Sequence, residues 1–137
     1  MVFIIEAYSD MTLKKSDTKY EYINSDGKTI CNIGYYIYDD IKNFDWINIA
    51  DVDTNKKYQG QGHATRLLNT LIRDMKKKHP SMGLYLLVKV DNEPAIGLYK
   101  KTGFKVLKMQ DSKKGKFYIM YQGNADIEQL KKQNFSV

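Results

Sequence analysis

The stretch Tyr58-Gln59-Gly60-Gln61-Gly62-His63-Ala64 decides the reading of this chain. It stands between an apolar strand-like run at residues 46–54 and a long run in which Ala64, Leu67, Leu68, Leu71, Ile72 and Met75 recur at helical spacing. That spacing makes one apolar stripe, with Arg66, Asn69, Arg73 and Lys76 on the other side. Two glycines just before a helix start let the backbone approach a ligand closely. The unsatisfied N–H groups of the first turn and the helix dipole then favour an anion, and a pyrophosphate is a natural guest. A Walker loop needs Gly-Lys followed by Ser or Thr, whereas Gly62 is followed by His63 and Ala64. The dinucleotide fingerprint wants Gly or Ala at the position held by Thr65. The remaining alternative is a glycine turn that merely joins strand to helix.

Downstream, Lys76, Lys77 and Lys78 suit the negative end of the helix dipole, and Pro80 stops the helix. Residues 84–90 form a nearly continuous apolar run, as in a strand covered on both faces. A short helix is predicted from Glu93 to Lys101, with Asn92 as its cap, Pro94 in its first turn and Gly103 at its end. Residues 104–109 and 116–122 read as two strands around a lysine-rich turn, and residues 124–133 as a terminal helix. Upstream, residues 2–8, 19–24 and 29–38 read as strands. The second and third flank Ser25-Asp26-Gly27-Lys28, whose Asp-Gly step signals a hairpin. Residues 9–18 read as a short polar connection. The order is four strands, helix, strand, helix, two strands. The unit from Trp46 to Val90 should be a right-handed parallel crossover inside an otherwise antiparallel sheet, a mixed α/β fold.

The chain has 137 residues, which suits a single domain over residues 1–137, and no repeat or linker divides it. Apolar residues make up 42% and charged residues 28%, an ordinary balance for a globular domain. No apolar run approaches the roughly 18 residues of a membrane span. Residues 1–5 are apolar but too short for a signal peptide, and read as part of the first strand. The lone Cys31 cannot form an internal disulfide, which fits a cytoplasmic compartment. Its apolar strand suggests core packing rather than a nucleophile. Two isolated histidines and one cysteine make no metal site. The net charge of +6 is concentrated in lysine clusters, which read as solvated faces rather than a nucleic-acid surface.

A second segment sharpens the reading: Asn92-Glu93-Pro94-Ala95-Ile96-Gly97-Leu98-Tyr99-Lys100-Lys101-Thr102-Gly103-Phe104. With the loop at residues 59–64, it resembles the GCN5-related N-acetyltransferase (GNAT) family. Gln59, Gly62 and Ala64 match that family's coenzyme loop, while Asn92, Ala95, Leu98, Tyr99, Gly103 and Phe104 match its later motif. The resemblance is strong from about residue 47 to 107.

It implies a GNAT-like fold and transfer of an acetyl group from acetyl-CoA to a primary amine, without a metal. Backbone groups of Val52, Asp53 and Thr54 would hold the pantetheine arm. Gln59, Gly60, Gln61, Gly62, His63 and Ala64 would hold the pyrophosphate, with His63 contributing only backbone. Asn92 would bond the pantetheine region. Tyr99 would lie near the sulfur as general acid, and Lys100 or Lys101 could reach the adenosine phosphates.

Two departures stand out. The family usually carries two helices between its first two strands, and residues 9–18 are too short for both. The acceptor side is therefore open or closed by a second subunit, so a homodimer is one expectation. Many members place a glutamate base where Trp46 stands, so Asp45, Asp51, Asp53 or water must serve instead. Asp51 is the candidate for holding a small basic amine, such as a polyamine. The alternatives are a peptide or protein amine, and a catalytically inactive coenzyme-binding regulatory module. Tyr20, Tyr22, Tyr35, Tyr36 and Tyr38 read as sheet residues more readily than as an acceptor pocket.

Overall fold

The computed structural model describes residues 3–8, 11–38 and 40–135; the side chains of residues 3–8 and of Asp51 lie outside that description. The strands are β1 (Phe3–Tyr8), β2 (Met11–Lys15), β3 (Lys19–Ile23), β4 (Thr29–Ile37), β5 (Trp46–Thr54), β6 (Gly83–Lys89), β7 (Lys105–Ser112) and β8 (Gly115–Gln122). The helices are α1 (His63–Lys78), α2 (Glu93–Lys101) and α3 (Ile127–Lys131). One eight-stranded sheet has the order β1-β2-β3-β4-β5-β6-β8-β7. The β5–β6 pair is parallel, with Trp46 opposite Gly83, Ile47 opposite Leu84 and Asn48 opposite Tyr85. The pairs β1–β2, β2–β3, β3–β4, β6–β8 and β7–β8 are antiparallel. This is the mixed sheet with a parallel strand-helix-strand unit that the sequence predicts.

One element differs. Residues 11–15 are a strand, not a polar connection, so the described residues form eight strands where the sequence suggested seven. Met11 and Leu13 are buried and alternate with half-buried Thr12 and Lys14, the pattern of a strand with one face inward. Five residues ending in two lysines carry too few periods for that alternation to show. A tight turn follows: the Ser16 hydroxyl donates to the Lys19 carbonyl at 3.2 Å and accepts from the Lys19 N–H at 3.1 Å.

The chain divides into two compact units. The first comprises residues 1–36 and 49–74. Its predicted hairpin turn forms as expected: the Asn24 carboxamide oxygen accepts from the N–H groups of Asp26 and Lys28 at 3.0 Å each. Gly27 takes the left-handed φ of 79° that this turn requires. Tyr20, Ile30, Cys31, Ile33, Leu67, Leu68 and Leu71 are fully or almost fully buried. Asp74, late in α1, accepts from the Tyr20 hydroxyl and the Lys15 ammonium, each at 2.6 Å. The helix is therefore tied to β2 and β3 by a charged group as well as by its apolar stripe. The Cys31 thiol is wholly buried and accepts from the Thr54 hydroxyl at 3.3 Å, and burial pushes its pKa up. It packs, as the sequence suggests.

The second unit comprises residues 37–48 and 75–137. Phe44, Trp46, Tyr85 and Leu130 form its aromatic core, with Tyr38, Tyr121 and Phe135 against them. Among the tyrosines considered for an acceptor wall, Tyr20, Tyr22 and Tyr35 are buried, Tyr38 joins this core, and Tyr36 is 44% exposed. α2 is built as predicted, with the Asn92 side chain accepting from the Ala95 N–H at 3.2 Å and Gly103 at φ 105° beyond its end. α3 is five residues long, shorter than expected, and is capped by Asp126, whose side chain accepts from the Glu128 N–H. No helix among the described residues is long and apolar enough to cross a membrane.

Candidate active site

The first unit carries the loop. At the end of β5, Asn55 donates its N–H to the Ile30 carbonyl at 2.8 Å, and its side chain caps a single 3-10 turn at Lys56–Tyr58. Gln59 then folds its carboxamide back, donating to the Thr54 carbonyl at 3.1 Å. Gly60 and Gly62 follow at φ 76° and 79°, both in the left-handed region that costs a side-chain-bearing residue about 1–2 kcal/mol. A Cβ at Gly60 would meet nothing within 4 Å, and one at Gly62 only the Arg66 Nη1, at 3.7 Å. The glycines are thus demanded by backbone conformation, and the space over the loop is open. The bond from the Arg66 N–H to the Gly62 carbonyl, 3.1 Å, opens α1. By helix geometry the amides before it have no intrahelical acceptor, which leaves their N–H groups available to an anion.

Two side chains behave differently from expectation. His63 does more than lend its backbone. It is only 8% exposed, its Nε2 lies 3.1 Å from the Gln61 Oε1, and its Nδ1 lies 2.7 Å from the Arg66 Nη2. The rings of Tyr22 and Tyr58 meet it edge-on at centroid distances of 6.4 and 6.2 Å. Burial and the neighbouring guanidinium both lower its pKa, burial more, so the imidazole is held neutral. Arg66, which the helical pattern assigns to the solvent side, instead turns its guanidinium toward the loop. The signal was present as the His63–Arg66 spacing of three, which puts both on one face of a helix.

Of the β5 residues expected to meet the pantetheine, Val52 and Thr54 are half-buried and Asp53 is exposed. The Thr54 carbonyl is already engaged by Gln59. The Asp51 side chain lies outside the described residues.

The second unit carries the later motif. Tyr99 is 8% exposed, packs edge-on against Phe104 at 6.0 Å, and has its pKa pushed up to about 12 by burial. It is a protonated phenol at neutral pH, as a donor must be. Asn92 is exposed and uses its side-chain oxygen as the helix cap. Lys100 and Lys101 are exposed. Trp46, where the family often has glutamate, is fully buried and donates its indole N–H to the Asp126 carbonyl at 2.9 Å. Asp45 is held by Gln129, whose carboxamide donates to its carboxylate at 2.9 Å and accepts from its N–H at 2.8 Å. Among the described residues there is no group of three or more potential metal ligands.

This fold, with two left-handed glycines between a central strand and a long helix, defines a class that comparison with known proteins identifies. The sequence matches the acetyltransferase (GNAT) family over residues 5–104, and the chain belongs to that family. It is 37% identical over 62 residues to an N-alpha-acetyltransferase of Sulfurisphaera tokodaii, a match covering 45% of this chain and 37% of the relative. The chain therefore spans little more than a third of that relative's length. Arabidopsis thaliana Naa50, solved with the bisubstrate analogue CoA-Ac-MVNAL, superposes with a TM-score of 0.67 at 22% identity, over 77% of this chain and 72% of that one. The ribosomal-protein-S18-alanine N-acetyltransferase of Escherichia coli gives 0.63 at 20% identity, over 94% and 77%. Both solved structures share the fold.

Proposed function

We propose that this chain is an acetyl-CoA-dependent N-acetyltransferase acting on a primary amine. The observation that carries the reading is the pair of left-handed glycines, Gly60 and Gly62, opening α1 in a family member. The pyrophosphate of acetyl-CoA would take the amides of residues 59–64, with Arg66 adding positive charge beside them. Val52 and Asp53 would offer backbone groups to the pantetheine arm, and Asn92 would hydrogen-bond the pantetheine region.

The chemistry asks little more of the protein than placement. A neutral amine attacks the thioester carbonyl, and charge grows on the carbonyl oxygen, where an N–H of Val52 or Asp53 would stabilise it. As the tetrahedral species collapses, the C–S bond breaks and Tyr99 gives its proton to the leaving sulfur. The amine's own proton passes to solvent or a nearby carboxylate. No covalent enzyme intermediate is needed, because alignment of two substrates is itself a large effect.

For the acceptor, the name of the Sulfurisphaera relative favours the α-amine of a peptide or protein. Among the described residues no helix stands between β1 and β3, which accords with a bulky acceptor. The polyamine reading, in which Asp51 attracts a cationic amine, rests on that residue's place eight before Gln59. Free-thiol release decides among them, with a lysine-free peptide of unblocked N-terminus, its N-acetylated form, and spermidine. Release with the unblocked peptide alone supports the α-amine. Release with spermidine, abolished by Asp51→Asn, supports the polyamine. Calorimetric binding of acetyl-CoA with no thiol from any amine would leave a regulatory module and overturn the enzymatic reading.

A further inference from the structure

The least expected feature of the loop is the chain of side chains Gln61–His63–Arg66. Arginine has only donors, so its contact at 2.7 Å requires the His63 Nδ1 to accept. The proton of the neutral ring then sits on Nε2 and is donated to the Gln61 Oε1 at 3.1 Å. One tautomer satisfies both contacts, and it joins the middle of the loop to the second turn of the helix.

We infer that His63 is a positioning residue for the anion-binding loop: its neutral ring holds Gln61 and the Arg66 guanidinium against the amides that receive the coenzyme pyrophosphate. The inference rests on the acetyl-CoA reading above and assigns that site an internal brace. Tyr22 on β3 and Tyr58 on the 3-10 turn face the ring edge-on and fix its plane. The charged groups near it are Arg66 and Lys57, whose ammonium lies 5.8 Å from the centroid of the Tyr58 ring. Both are cations and disfavour a charged imidazole. Protonation converts the Nδ1 acceptor into a donor facing another donor, so the brace opens and Arg66 is expelled. The sign follows: binding needs the neutral ring, so coenzyme affinity is lost as pH falls through the folded-state pKa of His63, which burial holds below the usual 6.5. A histidine that served as a direct cation for the phosphates would show the reverse, tighter binding at acid pH.

His63→Phe keeps an aromatic ring between the two tyrosines and removes both bonds. Its KM for acetyl-CoA should rise about tenfold, the scale of one hydrogen bond to a charged group, with kcat changed less than about twofold. His63→Asn, whose oxygen can replace Nδ1 as acceptor for Arg66, should recover part of that loss. Wild-type coenzyme affinity should hold from pH 7.5 to 6.5 and weaken as pH falls further, and both variants should lack that loss. A folded His63→Phe variant with wild-type KM, or wild-type binding that tightens at acid pH, would overturn the inference. The 15N shifts of His63 in the coenzyme-free protein keep the two readings apart. An Nε2–H tautomer at pH 7 supports the brace even if acetyl-CoA fails to bind and the functional reading falls. An Nδ1–H tautomer or a charged ring refutes the brace even if acetyl-CoA binds.

Discussion

The indole of Trp46 lies against the backbone of Gly83 so closely that a Cβ there would sit 2.3 Å from the indole Cζ3. The two residues are register partners in the parallel β5–β6 pair, and Trp46 is wholly buried. The position that many family members give to a glutamate base is thus spent on packing in this chain. The Gly83 site has no room to yield, because the atoms in the way belong to a rigid ring that is also anchored through its N–H to Asp126.

Gly83→Ala is therefore expected to destabilise the protein by at least the 1–3 kcal/mol or so typical of overpacking. Thermal or urea unfolding measures it directly. A loss below about 0.5 kcal/mol would show that the ring moves aside freely, and would contradict the packing described.

The loop glycines allow a controlled comparison. Gly62 and Gly27 share a φ of 79°, and neither would bring a Cβ into close contact. Alanine at either should cost stability by a similar amount, about 1–2 kcal/mol. Only Gly62→Ala should also weaken acetyl-CoA binding, because only Gly62 belongs to the proposed pyrophosphate turn. Calorimetry on both variants below their melting range separates strain from binding. Equal coenzyme affinity in the two would remove residues 59–64 from the proposed site.

Tyr99→Phe keeps the ring that packs on Phe104 and removes the proposed proton donor. Loss of a general acid costs about 10²–10⁴ in rate, so the chemical step in single turnover should slow by that order. A slowing of less than about twofold would end the assignment. Burial also has a consequence for stability at high pH. The phenol titrates near 10 when unfolded and near 12 when folded. Its contribution is complete below pH 10 and is lost as pH climbs from 10 to 12. For Tyr20 and Tyr85, whose pKa values burial raises further, the loss also begins near pH 10 and continues beyond that window. Alkaline unfolding of the wild type should begin near pH 10, and Tyr99→Phe should remove part of that dependence.

How far the sequence reaches depends on the kind of signal. α1 and α2 were legible because each combines periodicity with terminal chemistry: Gly62 before the apolar stripe, and Asn92 and Pro94 before Leu98 and Tyr99. The hairpin at Gly27 was legible for the same reason. β2 was not, since the inward alternation of Met11 and Leu13 is a single period. Within the loop, the glycines announced backbone geometry, but the partners of His63 and Arg66 are tertiary facts. A spacing of three says that two residues share a helix face, not that one ring is buried between two tyrosines. Nor could spacing show that Asp45, a candidate base, is held by Gln129 eighty-four residues away.

The last prediction concerns what steadies the helix that carries the loop. Asp74 lies eleven residues after His63, three turns down α1, and its Oδ2 receives both the Tyr20 hydroxyl and the Lys15 ammonium. Tyr20 is fully buried, so removing its acceptor exposes the full desolvation cost of the hydroxyl. Asp74→Ala should destabilise by about 1–3 kcal/mol. Tyr20→Phe in that background should recover part of the loss, because no hydroxyl then needs a partner. The double-mutant cycle thus isolates the pair: a coupling of at least about 0.5 kcal/mol is expected for residues in direct contact. Additive effects would mean that the 2.6 Å contact contributes nothing beyond its neighbours. Because the anchor sits three turns from the anion turn, the folded Asp74→Ala protein should bind acetyl-CoA within about threefold of wild type. A loss of coenzyme affinity as large as that expected for His63→Phe would show that the loop depends on the far end of its helix, and not chiefly on the brace beside it.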